Sequence, residues 1–420
     1  MKTLNIKKVI GCAAATFTTA CTVAFAAPGV QRSVYQFRHD ISTHPDETRR
    51  LIHPPTFESL GERPHFTFTR DLNRPTPEVK KIIARFKEIG LGDVVNPACD
   101  FLKQSNQDEV LKLIKENGFY LYDIWGYCPG NGDKCPWPQF TIPKGMLEKF
   151  ERELGDHWLG MDTGEQDGRW TWGFKGGGAR SREEAYGRFQ EFFEYLHREL
   201  GNRMCLVMSL NYAHYFLREN CYTTISCESA QALPNNQIYF AFIRGAGKQY
   251  GVPWASNVSF YNQWGFKSYP TRESVKTGLV PDSKGYFGES SGPWHGASLS
   301  LMKRLLYANL FYGAIFHAFE GGLVWNDNSR GEDALMPIGR LQYDAIRWFE
   351  KNGNPGVMQT PVAVVTPFGS GWSFARHLYW FRPYMCWGKF PYGYDDFFIH
   401  GVLEMLYPNY QESGFFQDET

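Results

Sequence analysis

The sequence predicts an α/β fold of the (β/α)8 TIM barrel class. Short apolar runs that are typical of buried strands alternate with longer segments whose apolar residues recur at helical spacing. Acidic residues also fall repeatedly where a predicted strand ends, and a barrel places its functional groups at the carboxyl ends of its strands. The chain of 420 residues is long enough for such a barrel, which takes about 250 residues, and for a further segment.

Eight predicted strands are separated by helices along most of the chain. The strands are expected at 65–69, 92–96, 119–127, 158–165, 204–210, 223–227, 254–260 and 314–319. Helices are expected at 76–89, 106–117, 181–200, 214–220, 236–250, 298–312 and 338–351. Pro77 stands in the first turn of a helix, where its missing N–H costs nothing. Ser181 and Glu184 have the spacing of a capping box, which predicts a helix start.

The fourth predicted strand leads into an acidic segment. It begins as an apolar run at Trp158 and continues with Asp162, Glu165 and Asp167, where the strand gives way to a loop. A buried carboxylate is costly unless it is paired or used, and the nearby Gly164 leaves room for a ligand. A solvated turn rich in aspartate and glycine would have a similar composition. The barrel pattern favours a catalytic strand end.

Three glutamates are expected at strand ends: Glu165 on strand four, Glu228 on strand six and Glu320 on strand eight. We predict that all three are catalytic candidates, with Glu320 preferred to Glu228 as the partner of Glu165 because two glycines follow it. Other residues near strand ends are predicted to contact substrate: Tyr122, Asp123, Trp125, Asp162, Asp167, Arg169, Asn211, Tyr212, Trp254, Trp294 and Trp325. An ion pair between Arg169 and either Asp162 or Asp167 is an equally good interpretation of that arginine.

Composition narrows the class of partner. Lysine plus arginine and aspartate plus glutamate each number 44, so no basic surface predicts nucleic-acid binding. Aromatic residues make up 16%, and their flat rings suit the apolar faces of sugars as well as a large core. The sequence has no C-x-x-C or H-E-x-x-H spacing, so neither a metal nor a cofactor is expected. No stretch beyond the N-terminal segment predicts a membrane span, and the sequence leaves the oligomeric state open.

Residues 1–26 resemble a cleaved secretory signal, with a basic start, an apolar region and an A-x-A site that ends at Ala26. We therefore expect a secreted or periplasmic protein. Export permits disulfides, and Cys128 and Cys135 bracket a turn-rich loop that would let them pair.

Three segments resemble clan A glycoside hydrolases and, in layout, the bacterial β-galactosidase type. They are GEQ at 164–166, SLSLMKRLLYANLFYGAIFHAFEGG, and TPVAVVTPFGSGW with the later YGYDDFFIHGVLEMLYPNY. The resemblance implies a catalytic barrel over 27–359. It also implies the start of a flavodoxin-like domain over 360–420, with exposed apolar surface near Phe397, Phe398 and Leu403.

The resemblance also implies an acid/base glutamate at the end of strand four, which matches Glu165, although Gly164 stands where the family has asparagine. The family's nucleophile ends strand seven, where this sequence has no glutamate. Glu320, Glu228 or Glu289 would have to take that role.

Two carboxyl groups flanking an anomeric carbon suffice for glycoside hydrolysis, since one protonates the leaving oxygen and the other attacks or activates water. The sequence thus predicts an exported glycoside hydrolase of the retaining type that acts on a poly- or oligosaccharide. Two alternatives stay open: a non-catalytic carbohydrate-binding barrel, and a polysaccharide lyase that uses Tyr212 or His214 beside Arg244.

Overall fold

Eight parallel strands in chain order form a closed barrel, which confirms the predicted fold class. The computed structural model describes residues 63–97, 101–102, 104–124, 142–165, 180–181, 183–184, 186–187, 190, 200, 203–208, 214, 217, 224–230, 236–250, 252–259, 299–319, 334–353, 362–365 and 394–406. The strands are β1 (His65–Thr69), β2 (Val94–Asn96), β3 (Tyr120–Ile124), β4 (Trp158–Glu165), β5 (Met204–Met208), β6 (Ile225–Ala230), β7 (Trp254–Ser259) and β8 (Phe316–Phe319).

Helices surround this barrel. They are α1 (Thr76–Ile89), α2 (Gln107–Glu116), α3 (Met146–Leu154), α4 (Asn236–Tyr250), α5 (Leu299–Phe311), α6 (Pro337–Asn352) and α7 (Tyr394–Leu406). Within the predicted helix 181–200, the Ser181 hydroxyl accepts a hydrogen bond from the Glu184 N–H, as the capping box predicts. Helix α3 was not predicted, although Leu147, Phe150 and Leu154 bury one helical face in the core.

The strands divide their side chains between two cores. Phe66 and Phe68 of β1 face outward and join the large cluster that includes Phe86 of α1. His65 and Thr67 alternate with them and are buried inside the barrel. The interior also contains a smaller apolar cluster from the other strands: Val94, Tyr122, Leu159, Cys205, Ala255, Ile315 and Phe316.

An irregularity in β4 sets which of its residues face the interior. Leu121 pairs with Trp158 but Tyr122 pairs with Gly160, so one extra residue stands on β4 at this point. Leu159 therefore packs in the interior cluster, whereas Met161 packs in the outer cluster. Asp162 follows as a buried residue of β4, within the predicted strand bounds 158–165.

Gly160 makes this irregularity possible, because its φ is 113° and a Cβ would collide with the backbone carbonyl of Arg203. We expect Gly160→Ala to lower the free energy of unfolding by about 2–4 kcal/mol through backbone strain and overpacking. Denaturant titration would measure the loss. Gly118→Ala is a useful comparison because its positive φ of 73° is accompanied by no atom within 4 Å of the new Cβ, so its loss should be smaller.

The barrel closes where β8 pairs with β1, with Phe316 beside His65. Gln342 of α6 is fully buried next to this seam. Its amide donates to the Leu91 carbonyl at 2.5 Å and lies 3.4 Å from the Thr67 carbonyl, so the last barrel helix is tied to β1 and to the segment that leads into β2.

The segment after the barrel matches its prediction only in part. Residues 362–365 form no strand, although the resemblance places the first flavodoxin-like strand there. Phe398 of α7 is 49% exposed, as expected, but Leu403 is buried against the main core, which corrects the prediction for that residue. The side chain of Phe397 lies outside the described residues, and a flavodoxin-like domain stays a prediction.

Two other expectations concern segments outside the described residues: the secretory signal and the Cys128–Cys135 disulfide. Across the described ranges, no helix has the length and apolar character needed to cross a membrane.

Candidate functional site

The carboxyl-terminal parts of β4 and β6 carry two of the three predicted glutamates. Glu165 is the last residue of β4, as predicted. Glu228 lies within β6, which continues to Ala230 rather than ending at Cys227, because β6 stays paired with β7 up to Ser259. The backbone positions of both glutamates are therefore fixed by the barrel.

The strand register relates these two positions. Starting from Glu165, successive paired residues are Met208, Ser226, Ala255 and Phe316. The row then reaches His65 on β1. Two residues further along β1, Thr67 pairs with Val94 of β2, and Val94 pairs with Tyr120 of β3. It re-enters β4 on the amino-terminal side of Trp158, since Leu121 is the partner of that tryptophan. The paired row thus descends as the strand number rises.

Residues at one height along the barrel axis therefore lie progressively further along their strands than the residues of the paired row do. A barrel of eight strands with a shear of about 8 requires a climb of about one residue per strand. On β6, two strands beyond β4, the paired row reaches Ser226, and a climb of two residues gives Glu228 as the residue level with Glu165. Glu165 and Glu228 thus occupy one height near the barrel mouth.

A second set of polar residues lies deeper inside the barrel. Asp162 precedes Glu165 by three residues on β4, Tyr122 is in the middle of β3, and Asn96 ends β2. These three side chains and Thr67 of β1 are between 1% and 4% exposed. The barrel interior beneath the glutamates is therefore polar on its β1–β4 side.

Tyr122 is the centre of this set. Burial, and then the nearby Asp162 carboxylate, raise the pKa of Tyr122, which keeps the phenol protonated as a hydrogen-bond donor. Asn96 and Thr67 are close enough to oppose that shift. Thr67 Oγ1 and both amide atoms of Asn96 nevertheless have no partner within the geometric limits of a hydrogen bond in the described part of the chain.

Comparison with known proteins finds distant barrels. No protein-family model matches this sequence, and no curated protein matches it. A β-galactosidase from the Antarctic haloarchaeon Halorubrum lacusprofundi superposes with a TM-score of 0.45 at 11% identity, over 76% of this chain and 64% of that one. The mannotriose complex of Thermomonospora fusca β-mannanase gives 0.36 at 10% identity, over 66% and 87%. A D-psicose 3-epimerase solved in the presence of D-fructose gives 0.34 at 12% identity, over 69% and 99%. This likeness concerns the fold alone.

Many predicted site residues lie outside the described part of the chain: Glu320, Trp125, Asp167, Arg169, Asn211, Tyr212, Trp294 and Trp325. For Glu165, Glu228 and Asp123 the described feature is the backbone position. Asp162 and Tyr122 are the predicted site residues whose side chains are described inside the barrel.

Two predicted roles need correction. Trp254 begins β7 at its amino end, is 2% exposed and packs beside Phe240 of α4, so it belongs to the outer core rather than to a sugar-binding surface. Arg244 lies on α4, and its guanidinium stacks 4.1 Å from the ring centroid of Tyr312 beyond the end of α5. This position in the helix layer gives no support to the lyase alternative.

Sequence reasoning missed Asn96 and Thr67. Asn96 follows two valines at the end of a short apolar run, which is the same signal that drew attention to Glu165. The described residues contain no group of three or more histidine, cysteine, aspartate or glutamate side chains that could hold a metal ion.

The buried histidines lie away from this region. His65 is near the amino end of the barrel, with Nδ1 2.8 Å from the Asp93 carboxylate, which Arg63 also contacts. His317 lies on the outward face of β8, where Nδ1 is 2.6 Å from the Ser256 hydroxyl and the ring contacts Phe66. Both therefore have structural roles.

His317 predicts a measurable acid sensitivity. Burial lowers the pKa of His317 to about 3, below its ordinary value of 6.5. The unfolded chain therefore binds a proton below that ordinary value while the folded chain does not, so stability is lost as the pH falls from 6.5 towards 3. From pH 7 to 5 we expect a loss of about 2 kcal/mol in the wild type from this group. His317→Gln should remove that part of the loss in denaturant titrations at the two pH values. An unchanged pH dependence would contradict the assignment.

Proposed function

We propose that the protein is a glycoside hydrolase that uses a pair of glutamates at the carboxyl end of the barrel. The observation that carries the proposal is the common height of Glu165 and Glu228 in the register of the closed barrel. Glu320 directly follows Phe319, the last residue of β8, in the sequence. Packing at ordinary strand ends does not require two glutamates at one height.

Glu165 is proposed as the acid/base because it ends β4, the strand on which the resembling family has this group. Strands four and eight stand opposite each other in a ring of eight, so Glu320 is the preferred partner across the cleft. Glu228 is the second candidate, since β4 and β6 are separated only by β5 and their backbones lie about 10 Å apart. A carboxyl separation of about 5–5.5 Å would give retention, and one of about 6.5–9.5 Å inversion.

The substrate is proposed to be a poly- or oligosaccharide met outside the cytoplasm, after cleavage of residues 1–26. The neutral charge balance and the aromatic content agree with an uncharged, sugar-like ligand. N-terminal sequencing of the protein recovered after export would test the cleavage site.

Hydrolysis assays test the proposed function. Purified protein would be incubated with aryl α- and β-glycosides of the common hexoses and with neutral polysaccharides, beginning with β-galactosides. Release of the aryl alcohol or of reducing sugar supports the proposal, and NMR of the first product anomer separates retention from inversion. Unsaturated products would instead indicate a lyase. Sugar binding without any bond cleavage would favour the non-catalytic binding barrel.

A further inference from the structure

Asn96 is an unusual side chain for a barrel interior. It is 1% exposed, and neither its amide nitrogen nor its amide oxygen has a hydrogen-bond partner among the described residues. Leaving a buried polar group unpaired is costly, so such a residue calls for a ligand or water that completes its bonding. Thr67 Oγ1 is unpaired in the same way on the neighbouring strand.

The register places Asn96 level with Asp162. Ile124 of β3 pairs with Asp162. Because the paired row shifts by about one residue per strand, the β3 residue at the same height as Asp162 is one position earlier, at Asp123. Leu121 pairs with Val95, so position 97 of the chain is opposite Asp123. One residue earlier is Asn96, which is therefore at the same height on β2. Asn96 and Asp162 thus lie at one height on strands β2 and β4, with Tyr122 on the strand between them.

This group lies three residues below the glutamates along β4. Three residues rise about 10 Å along a strand, and a strand tilt of about 36° converts this to a depth of roughly 8 Å along the barrel axis. The backbone positions of the two glutamates thus lie above those of the deeper group, separated by this depth.

The chemistry of the deeper group suits hydroxyls. The Asp162 carboxylate accepts hydrogen bonds, the Tyr122 phenol donates one, and the Asn96 amide does both. Sugar hydroxyls both donate and accept, so one sugar can satisfy all three side chains. A hydrocarbon ligand would leave the Asn96 amide unpaired, and a free cation would leave the Asn96 N–H groups without acceptors.

We propose that Asn96, Tyr122 and Asp162 form the floor of the substrate pocket and bind the hydroxyls of the sugar that lies beneath the glutamates. The inference rests on the proposed function, since that function supplies the sugar. The inference adds that the side chains of the floor, on β2, β3 and β4, determine which sugar binds. Asn96 and Tyr122 are then specificity-determining residues rather than catalytic ones.

Calorimetric titration with free D-galactose, D-mannose and D-glucose tests the floor without requiring hydrolysis. The wild type should bind at least one of them. Asn96→Leu and Tyr122→Phe should each weaken that binding about tenfold, because each removes one set of hydroxyl contacts. Ser256→Ala is the matched control, since Ser256 is a buried barrel hydroxyl on the outward face and should leave binding unchanged.

Monodeoxy sugars sharpen the test. If Asn96 contacts one hydroxyl, removing that hydroxyl should weaken binding to the wild type but cause no further loss in Asn96→Leu. Unfolding experiments on the same variant should show unchanged or increased stability, because leucine has a similar shape and removes an unpaired amide. Tyr122→Phe carries the test alone if Asn96→Leu fails to fold.

Three outcomes would overturn the proposal: no binding of any of the three sugars to the wild type, equal binding by the wild type and both floor variants, or purely additive losses across the deoxy series. The second would mean that water alone fills the site. Absence of hydrolysis together with floor-dependent sugar binding would overturn the proposed function and leave the floor intact.

Discussion

Glu165→Gln is expected to reduce hydrolysis of unactivated glycosides by about 10²–10⁴-fold. Glutamine has nearly the same shape but cannot donate a proton to the leaving oxygen, and general acid catalysis accounts for about 10²–10⁴ in rate. Because Glu165 ends β4, the substitution should leave the unfolding midpoint close to that of the wild type. Initial rates on a natural glycoside and a thermal unfolding curve would measure both effects.

The leaving group separates the two catalytic roles. An aryl alcohol of low pKa departs without protonation, so Glu165→Gln should lose much less activity on a dinitrophenyl glycoside than on an alkyl glycoside. The nucleophile variant, Glu320→Gln or Glu228→Gln, should lose activity on both. Glu116→Gln on the exposed surface of α2 is the control and should match the wild type. Full activity of Glu165→Gln on an alkyl glycoside would end the assignment.

Glu151→Leu is expected to lower the free energy of unfolding by about 3–5 kcal/mol, because it would deprive a buried charge of its closest partner. Arg203 Nη2 lies 3.1 Å from Glu151 Oε2, and the two side chains are only 8% and 4% exposed. The Arg203 carbonyl also accepts the Met161 N–H at 2.8 Å, so this pair fastens α3 to the strand that carries Asp162. Denaturant titration would measure the loss.

A second carboxylate next to Arg203 provides the matched control. Glu148 Oε1 is 3.5 Å from the same guanidinium but is 60% exposed, so Glu148→Leu should cost less than about 1 kcal/mol. The double variant Arg203→Met with Glu151→Leu should recover much of the stability, since it leaves no unpaired charge. Equal losses in Glu148→Leu and Glu151→Leu would contradict the importance of burial.

Periodic segments could be predicted well from the sequence. β1 and α1 were assigned with their observed bounds because alternating and helical apolar spacings in them are strong, and α4 was likewise correct. The unpredicted α3 is only nine residues long and follows a long segment rich in turn residues, so its apolar face gave a weak signal.

The barrel interior was harder to predict. Asp162 was placed within strand four at 158–165, but strict alternation from Leu159 would turn its side chain outward. The bulge at Gly160 instead turns both Leu159 and Asp162 inward, three residues apart, which a strict period of two does not allow. Trp254 was misassigned because its flat ring suits a sugar face as well as a core, although it begins its strand and so lies away from the barrel mouth. Asn96 was overlooked because its burial and its lack of hydrogen-bond partners can be seen only in the folded structure.

The seam between β1 and β8 has a consequence for biosynthesis. Gln342 and Leu91, which meet beside it, are 251 residues apart in the chain. Joining such distant ends costs about 2 kcal/mol more loop entropy than joining neighbouring strands about 30 residues apart. At about 5–20 residues per second, the ribosome needs roughly 10–50 s to deliver β8 after β1. During that interval one edge of β1 offers unpaired backbone groups to any other chain. We therefore expect nascent chains to depend on holdase chaperones until α6 emerges.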